Sequence, residues 1–306
     1  MRTQARRAID AVLAHSPAQP FFKRRRSGRL AALAYHGVDD PGMFERHLDR
    51  LIRIANPISL DQLLDAATGR GRLPPRPVLI TFDDGEWSVL QAGLPLLKAR
   101  GLPAVAFVVA GLLDTDEPYW WAEAERRAAA GGTVDGRPVA SVAELIRRMK
   151  RVPDRERESL IEELRGSTPG LDVSLPQLRR SDLPVLEASG IAIGNHSLLH
   201  PCLSRCTDER IEREITESHT LLTEALGRPP RSFAYPDGIG DDRVRAALAA
   251  SGYEASFLFD HRLSDLPLAD PLRISRVRVD SDNDLNRFSI VLSGLHPALH
   301  HRLGRD

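Results

Sequence analysis

Seven short apolar runs recur along this chain: Leu30–Tyr35, Val78–Phe82, Ala104–Val109, Ile191–Asn195, Ser232–Pro236, Tyr253–Phe259 and Ile274–Val279. A strand with one face in water alternates apolar and polar residues, whereas most of these runs are apolar at consecutive positions. That pattern fits strands of a parallel sheet with both faces covered. The segments between them carry helical spacing. Phe44, Leu48, Leu51 and Ile52 fall at such spacing within Gly42–Ala55, and Leu90, Leu94 and Leu97 within Val89–Ala99. Thr207 and Gly227 punctuate a helix over Asp208–Leu226, and Gly252 ends one over Asp241–Ser251. The alternation predicts an α/β barrel or a doubly wound sheet around one core.

The 306 residues suffice for one large domain or two small ones. Hydrophobic residues at 42% and charged residues at 27% exclude a disordered or fibrous chain. Lys+Arg and Asp+Glu are equal at 42 each, which argues against a nucleic-acid partner. No apolar run is long enough for a transmembrane helix, and two cysteines cannot build a disulfide framework. Residues 1–29 read as a basic N-terminal helix or arm. Arg6, Arg7, Asp10 and His15 interrupt its apolar residues, and the run Phe21-Phe22-Lys23-Arg24-Arg25-Arg26 follows. This is not the unbroken apolar stretch of a secretion signal, so a cytoplasmic location is expected. The arm is expected to be a solvated surface helix, with peripheral contact to an anionic membrane surface as the sharper alternative.

One region breaks the rhythm. About 75 residues separate the third run from the fourth, far more than a crossover helix of ~10–15 residues needs. Residues 113–180 are expected to form a helical insertion, with helices at Val142–Lys150 and Asp154–Arg165, and to pack either as an outer lobe or as a wall over the site. Trp120 and Trp121 within it are candidates for stacking on a sugar or for core packing.

The second run ends in Thr81-Phe82-Asp83-Asp84-Gly85, and the fourth in Gly194-Asn195-His196-Ser197-Leu198-Leu199-His200-Pro201. A lone Asp pair would suit a helix cap. A carboxylate pair and a His pair, each at the C-terminal end of a predicted strand, fall where α/β barrels collect catalytic groups. Two imidazoles four residues apart suit a divalent ion, and Pro201 puts them on a loop turn. Two His and one carboxylate leave positions open on a zinc-like or iron-like ion. Such an ion acidifies a water and polarises a carbonyl, and a second carboxylate is free to take the proton.

With Phe233–Gly238 (FAYPDG) and the opening Tyr35-His36-Gly37-Val38, these motifs resemble, in order and spacing, those of the polysaccharide deacetylase family, carbohydrate esterase family 4 with its NodB homology domain. The resemblance covers roughly residues 30–112 and 178–290. It implies a distorted (β/α)7 barrel, here a single domain over 30–292 with the insertion at 113–180 and a C-terminal tail at 293–306. It implies that Asp83 is the general base, that Asp84, His196 and His200 bind the ion, usually zinc and sometimes cobalt or nickel, and that the Asp237 backbone N–H helps hold the oxyanion. Tyr235 and Pro236 of the third motif, with Trp120 and Trp121, are the candidate substrate contacts. The implied reaction is hydrolysis of an N-acetyl amide on an amino sugar, releasing acetate.

Several positions depart from the family pattern. Ala234 stands where an Arg is frequent, and Asp237 where an aromatic is. No Asp-rich Trp motif is visible near Tyr253–Asp260, and Ile274–Asp280 replaces a Leu-x-His. The general acid is therefore unassigned, with His36 at the end of the first run as the candidate. Arg273 or Arg276 is the candidate to replace the Arg that orients the base. Cys202 and Cys206 are expected to be buried thiols, His219 a surface or core residue of its helix, and His296, His300 and His301 a solvated cluster. Two other readings stay open: a carbohydrate-binding barrel with weak turnover, and a metal-dependent amidohydrolase or deformylase of a small non-sugar amide.

Overall fold

The computed structural model describes residues 2–302, so residues 303–306 of the expected tail lie outside it. Seven parallel strands form the centre: β1 (Arg29–Tyr35), β2 (Pro77–Phe82), β3 (Ala104–Val108), β4 (Ile191–Asn195), β5 (Ser232–Ala234), β6 (Ala255–Phe257) and β7 (Arg276–Arg278). They pair in chain order from β1 to β6, and β7 returns to β1 with Ala32 opposite Arg276. A single bridge between Phe257 and Ile274 closes the gap between β6 and β7. The result is the expected distorted seven-stranded barrel, with an antiparallel pair at Ser264–Asp265 covering the start of β1.

Both faces of the strands are buried, as their apolar runs require. Ala31, Leu33, Tyr35, Ile80 and Val108 belong to the core under the outer helices. Leu30, Ala32, Leu79, Val105 and Phe107, one residue out of phase, belong to a second cluster that includes Phe257 and Ile274. The period of two thus separates barrel interior from outer layer. Gly194 in β4 has no side chain for a steric reason, since a Cβ there would meet the Phe107 ring at 2.4 Å.

The outer helices follow their sequence signals. Asp40 caps Pro41–Ile54, Ser59 and Gln62 form a capping box on Leu60–Ala67, and Thr207 caps Asp208–Leu226, which ends on Gly227 at φ 68°. The expected helix over 89–99 is instead a π-helical turn, Val89–Gly93, followed by an α-helix, Leu94–Lys98. Pro95 lacks the N–H an α-helical bond would need, and the wider turn accommodates it.

The insertion holds three helices, Trp120–Ala129, Val142–Met149 and Asp154–Ser167, and a short hairpin of Thr133–Val134 with Arg137–Pro138. It has a small core of its own, including Ala124, Leu145, Met149, Leu160 and Leu164. At the termini, the helix Arg2–Ala14 packs on Leu285–Leu292, helped by an Asp10–Arg287 ion pair at 3.5 Å. The short helix Ala18–Arg25 packs against Leu295–Arg302. Among the described residues, no helix is long and apolar enough to cross a membrane.

Candidate active site

The C-terminal ends of β1, β2, β4 and β5 meet the insertion around a cleft of about 380 Å³. Asp84, His196 and His200 converge there. Asp84 Oδ1 lies 3.4 Å from each His Nε2, and the two Nε2 atoms are 3.2 Å apart. Ligand atoms at ~2.05 Å from a tetrahedral ion would stand ~3.3 Å from one another, so the triangle has the size of three corners of such a site. Asp84 Oδ1 is buried with no hydrogen-bond partner among the described residues. His196 Nδ1 donates to the Ala234 carbonyl at 2.8 Å, which directs the lone pair of Nε2 at the triangle. His200 is pushed down to about 3 by burial and by His196, so it presents a neutral imidazole. These donors fit a divalent ion that prefers mixed N and O ligands.

Asp83 belongs to the same rim but faces another partner. Arg276 donates to its two carboxylate oxygens at 2.6 and 2.8 Å, to Thr81 Oγ1 at 3.1 Å and to the Leu258 carbonyl at 2.9 Å. The guanidinium is fully buried among the rings of Phe107, Phe257 and Phe259, at 5.4–6.0 Å. Burial alone would raise the Asp83 pKa, but Arg276 and His196 outweigh it and hold the carboxyl below its ordinary range. Asp83 is therefore an anchored carboxylate. Arg273, the other candidate, pairs at the surface with Asp242 at 3.1 Å.

Backbone strain concentrates at this rim. Among the described residues, four of the eight non-glycine positions at positive φ are Asp84 (67°), Ser197 (70°), His200 (57°) and Asp237 (59°). Contacts that no local motif signals hold the strained loops. Glu214, buried on the helix Asp208–Leu226, accepts from the Leu198 and Leu199 N–H groups at 2.9 Å each. Burial raises the Glu214 pKa despite those bonds. Tyr119 donates its hydroxyl to the Asp84 carbonyl at 3.0 Å. Only their distance in sequence hides these two residues from a motif search.

The remaining candidates have distinct places. Trp121 is half-buried, lines the cleft, stacks on Tyr119 at 4.8 Å and meets His200 edge-on at 4.5 Å. Trp120 also borders the cleft, but it is buried and its indole N–H donates to the His200 carbonyl at 2.9 Å. It pins the His loop. Tyr235 is buried with its hydroxyl on the Leu272 carbonyl at 3.0 Å, and Pro236 is buried beside it without lining the cleft. Neither offers a polar side-chain group to a ligand. Asp237 lines the mouth and pairs with Lys150 of the insertion at 2.5 Å. His36 follows β1, lines the cleft and meets Phe259 edge-on at 5.9 Å. Cys202 and Cys206 are free and buried, their thiols pushed up to about 12 by burial. His219 meets Tyr253 edge-on at 5.3 Å. His296 is half-buried rather than fully solvated, and the His300 and His301 side chains lie outside the described residues.

A parallel barrel with this His–His–Asp cluster and an anchored second carboxylate at its C-terminal rim has the architecture of a hydrolase that works on a polarised carbonyl. The family model for polysaccharide deacetylase matches residues 70–152 and 175–256, and the chain belongs to that family, whose members hydrolyse amide C–N bonds. Poly-β-1,6-N-acetyl-D-glucosamine N-deacetylase of Escherichia coli K12 is 22% identical over 274 residues, 85% of this chain and 38% of that protein. Chitin deacetylase 1 of Cryptococcus neoformans var. grubii is 39% identical over 64 residues, 21% of this chain and 14% of that protein. The chain therefore spans well under half the length of either relative. The fold is shared with the Streptococcus pyogenes deacetylase PplD solved with acetate (TM-score 0.61, 15% identity, 86% of this chain and 98% of that one). It is shared also with IcaB of Ammonifex degensii (TM-score 0.60, 20% identity, 87% and 97%).

Proposed function

We infer that this protein is a metal-dependent N-deacetylase of an amino sugar. The observation that carries the reading is the pairing of the Asp84–His196–His200 triangle with Asp83 held ionised by Arg276. A divalent ion bound by the triangle, most simply Zn²⁺ with Co²⁺ or Ni²⁺ as substitutes, would polarise the N-acetyl carbonyl and acidify a water. Asp83 accepts that water's proton at a carboxylate oxygen, Arg276 holding the carboxylate in place. The Asp237 N–H donates to the oxygen on which negative charge develops. His36 delivers a proton to the departing amine nitrogen. Trp121 offers a ring face to the sugar, and Lys150 with Asp237 borders the entrance.

The substrate in this reading is a cytoplasmic biosynthetic intermediate: a nucleotide-linked or lipid-linked N-acetylated sugar, or a small glycoside. The unpaired buried thiols of Cys202 and Cys206 fit a reducing compartment. The likeness to the E. coli enzyme over most of this chain favours a second reading, a β-1,6-linked N-acetylglucosamine chain. Acetate release by the zinc-loaded protein should be ranked on a nucleotide-linked sugar, simple N-acetylglucosaminides and β-1,6-linked oligomers. The first reading expects the highest kcat/KM on a short substrate, and a steady rise with oligomer length supports the second. No acetate from any N-acetylated sugar, with turnover of a formylated or other small amide, would refute both.

A further inference from the structure

A second and larger cleft, of about 760 Å³, opens where the N-terminal and C-terminal helices meet the loop 262–275. Arg29, the first residue of β1, lines it, whereas His36, just past the end of β1, lines the catalytic cleft. The two clefts therefore sit at opposite rims of the barrel.

Arg26 is the residue that asks for a ligand. It lines the second cleft and is only 3% exposed, and its Nε and one Nη have no acceptor among the described residues. A buried guanidinium without a counter-charge is costly, and an anion is the partner that relieves it. The carboxylates nearby are already engaged. Asp265 pairs with Arg29 at 2.5 Å, and Asp270 pairs with Arg245 at 2.6 Å while capping the Leu272 N–H. Among the described residues, five arginines and these two carboxylates line the cleft. Burial and the neighbouring Arg76 push the Arg26 pKa down to about 10, which leaves it cationic at neutral pH.

The walls indicate what carries the anion. Phe21 is 57% exposed at the rim, and Phe22, Pro267 and Pro297 add apolar surface. The adjoining helix Arg2–Ala14 exposes Ile9 and Val12, one turn apart, at 58% and 71%. Lys23, Arg24 and Arg25 form an exposed basic run beside the cleft. Apolar groups and cations at one rim match the chemistry of an anionic bilayer surface. We propose that this cleft receives the phosphate of an anionic phospholipid headgroup on Arg26, and that the protein rests on a membrane by this rim with its catalytic cleft facing away. The proposal is independent of the deacetylase reading.

Co-sedimentation of the full chain with phosphatidylcholine vesicles, with and without phosphatidylglycerol, tests it. The wild type should bind only the anionic vesicles. Arg26→Gln should weaken that binding by ~10-fold or more, the loss expected for one charge-assisted contact. Arg24→Gln removes the same charge from an exposed residue outside the cleft, and should change binding by at most ~5-fold, the share of one cation near an anionic surface. Ala269→Glu places a carboxylate at an exposed cleft position, should act like Arg26→Gln, and carries the test if that variant does not fold. In solution, dihexanoyl phosphatidylglycerol should raise the melting temperature of the wild type and not of Arg26→Gln, and should do so more than inorganic phosphate at equal concentration. Equal losses for Arg24→Gln and Arg26→Gln would show diffuse attraction and overturn the proposal. Equal stabilisation by inorganic phosphate would assign the cleft to a free anion and overturn the membrane reading. Failure to bind anionic vesicles would overturn it outright.

Discussion

Asp83 and Asp84 are adjacent, yet one points at a guanidinium and the other at two imidazoles. Regular strand geometry would put the two carboxylates on opposite faces, and the positive φ of Asp84, just past the end of β2, turns the chain so that both line one cleft. In the proposed mechanism Arg276 is a positioning residue, since it donates to both carboxylate oxygens of Asp83. Replacing it with Gln should raise the Asp83 pKa, because the cation that lowers it is gone. The acid limb of kcat/KM should then move to higher pH, with kcat down by ~10–100-fold and the ion retained, and Arg276→Lys should restore part of the shift. An unmoved acid limb in a folded, metal-loaded variant would remove Arg276 from the account. His36→Gln should keep its ion, lose at least ~10-fold in kcat and flatten the alkaline limb if His36 supplies the amine proton. A retained alkaline limb assigns that proton elsewhere.

At the scale of elements, legibility followed sequence distance. Asp83, Asp84, His196 and His200 sit in two contiguous motifs at strand ends, and the structure places all four at one rim. Choosing Arg276 over Arg273 required the register of β7 on β1, which turns residue 276 into the barrel interior. Glu214 and Tyr119 were not legible, because each supports the site from an element whose docking is a long-range packing outcome. The π turn at Val89–Gly93 defeats a search for 3.6-residue periodicity. Glu214→Ala frees two backbone donors of the His loop and should weaken metal binding by ~10–100-fold, measured by chelator competition. In the insertion, Trp121→Ala should raise KM. Trp120→Phe, which deletes the bond to the His200 carbonyl and keeps an aromatic ring in the core, should lower metal affinity instead. The reverse pattern would exchange the two roles.

At the scale of the molecule, the insertion holds a buried charge cluster of its own beside its small core. Glu123 of the insertion is buried against Arg127 and Arg165, at 2.8 and 2.6 Å. Burial opposes its ionisation, but the two arginines prevail and depress its pKa below the ordinary 4.5. A depressed carboxyl stabilises the fold above its unfolded pKa and loses that contribution as pH falls through the folded value. Melting temperature should therefore drop between about pH 4.5 and lower values in the wild type, and less steeply in Glu123→Gln. Equal slopes would remove Glu123 as a cause.

The division of labour between the adjacent carboxylates is the centre of the account, and metal content measured beside single-turnover acetate release tests it directly. Asp83→Asn should hold close to one equivalent of zinc while its rate falls by ~10²–10⁴-fold. Asp84→Asn and His200→Ala should lose the ion and the activity together. An Asp83→Asn protein without metal beside an Asp84→Asn protein that keeps it, or full wild-type activity after verified removal of the ion, would contradict the assignment.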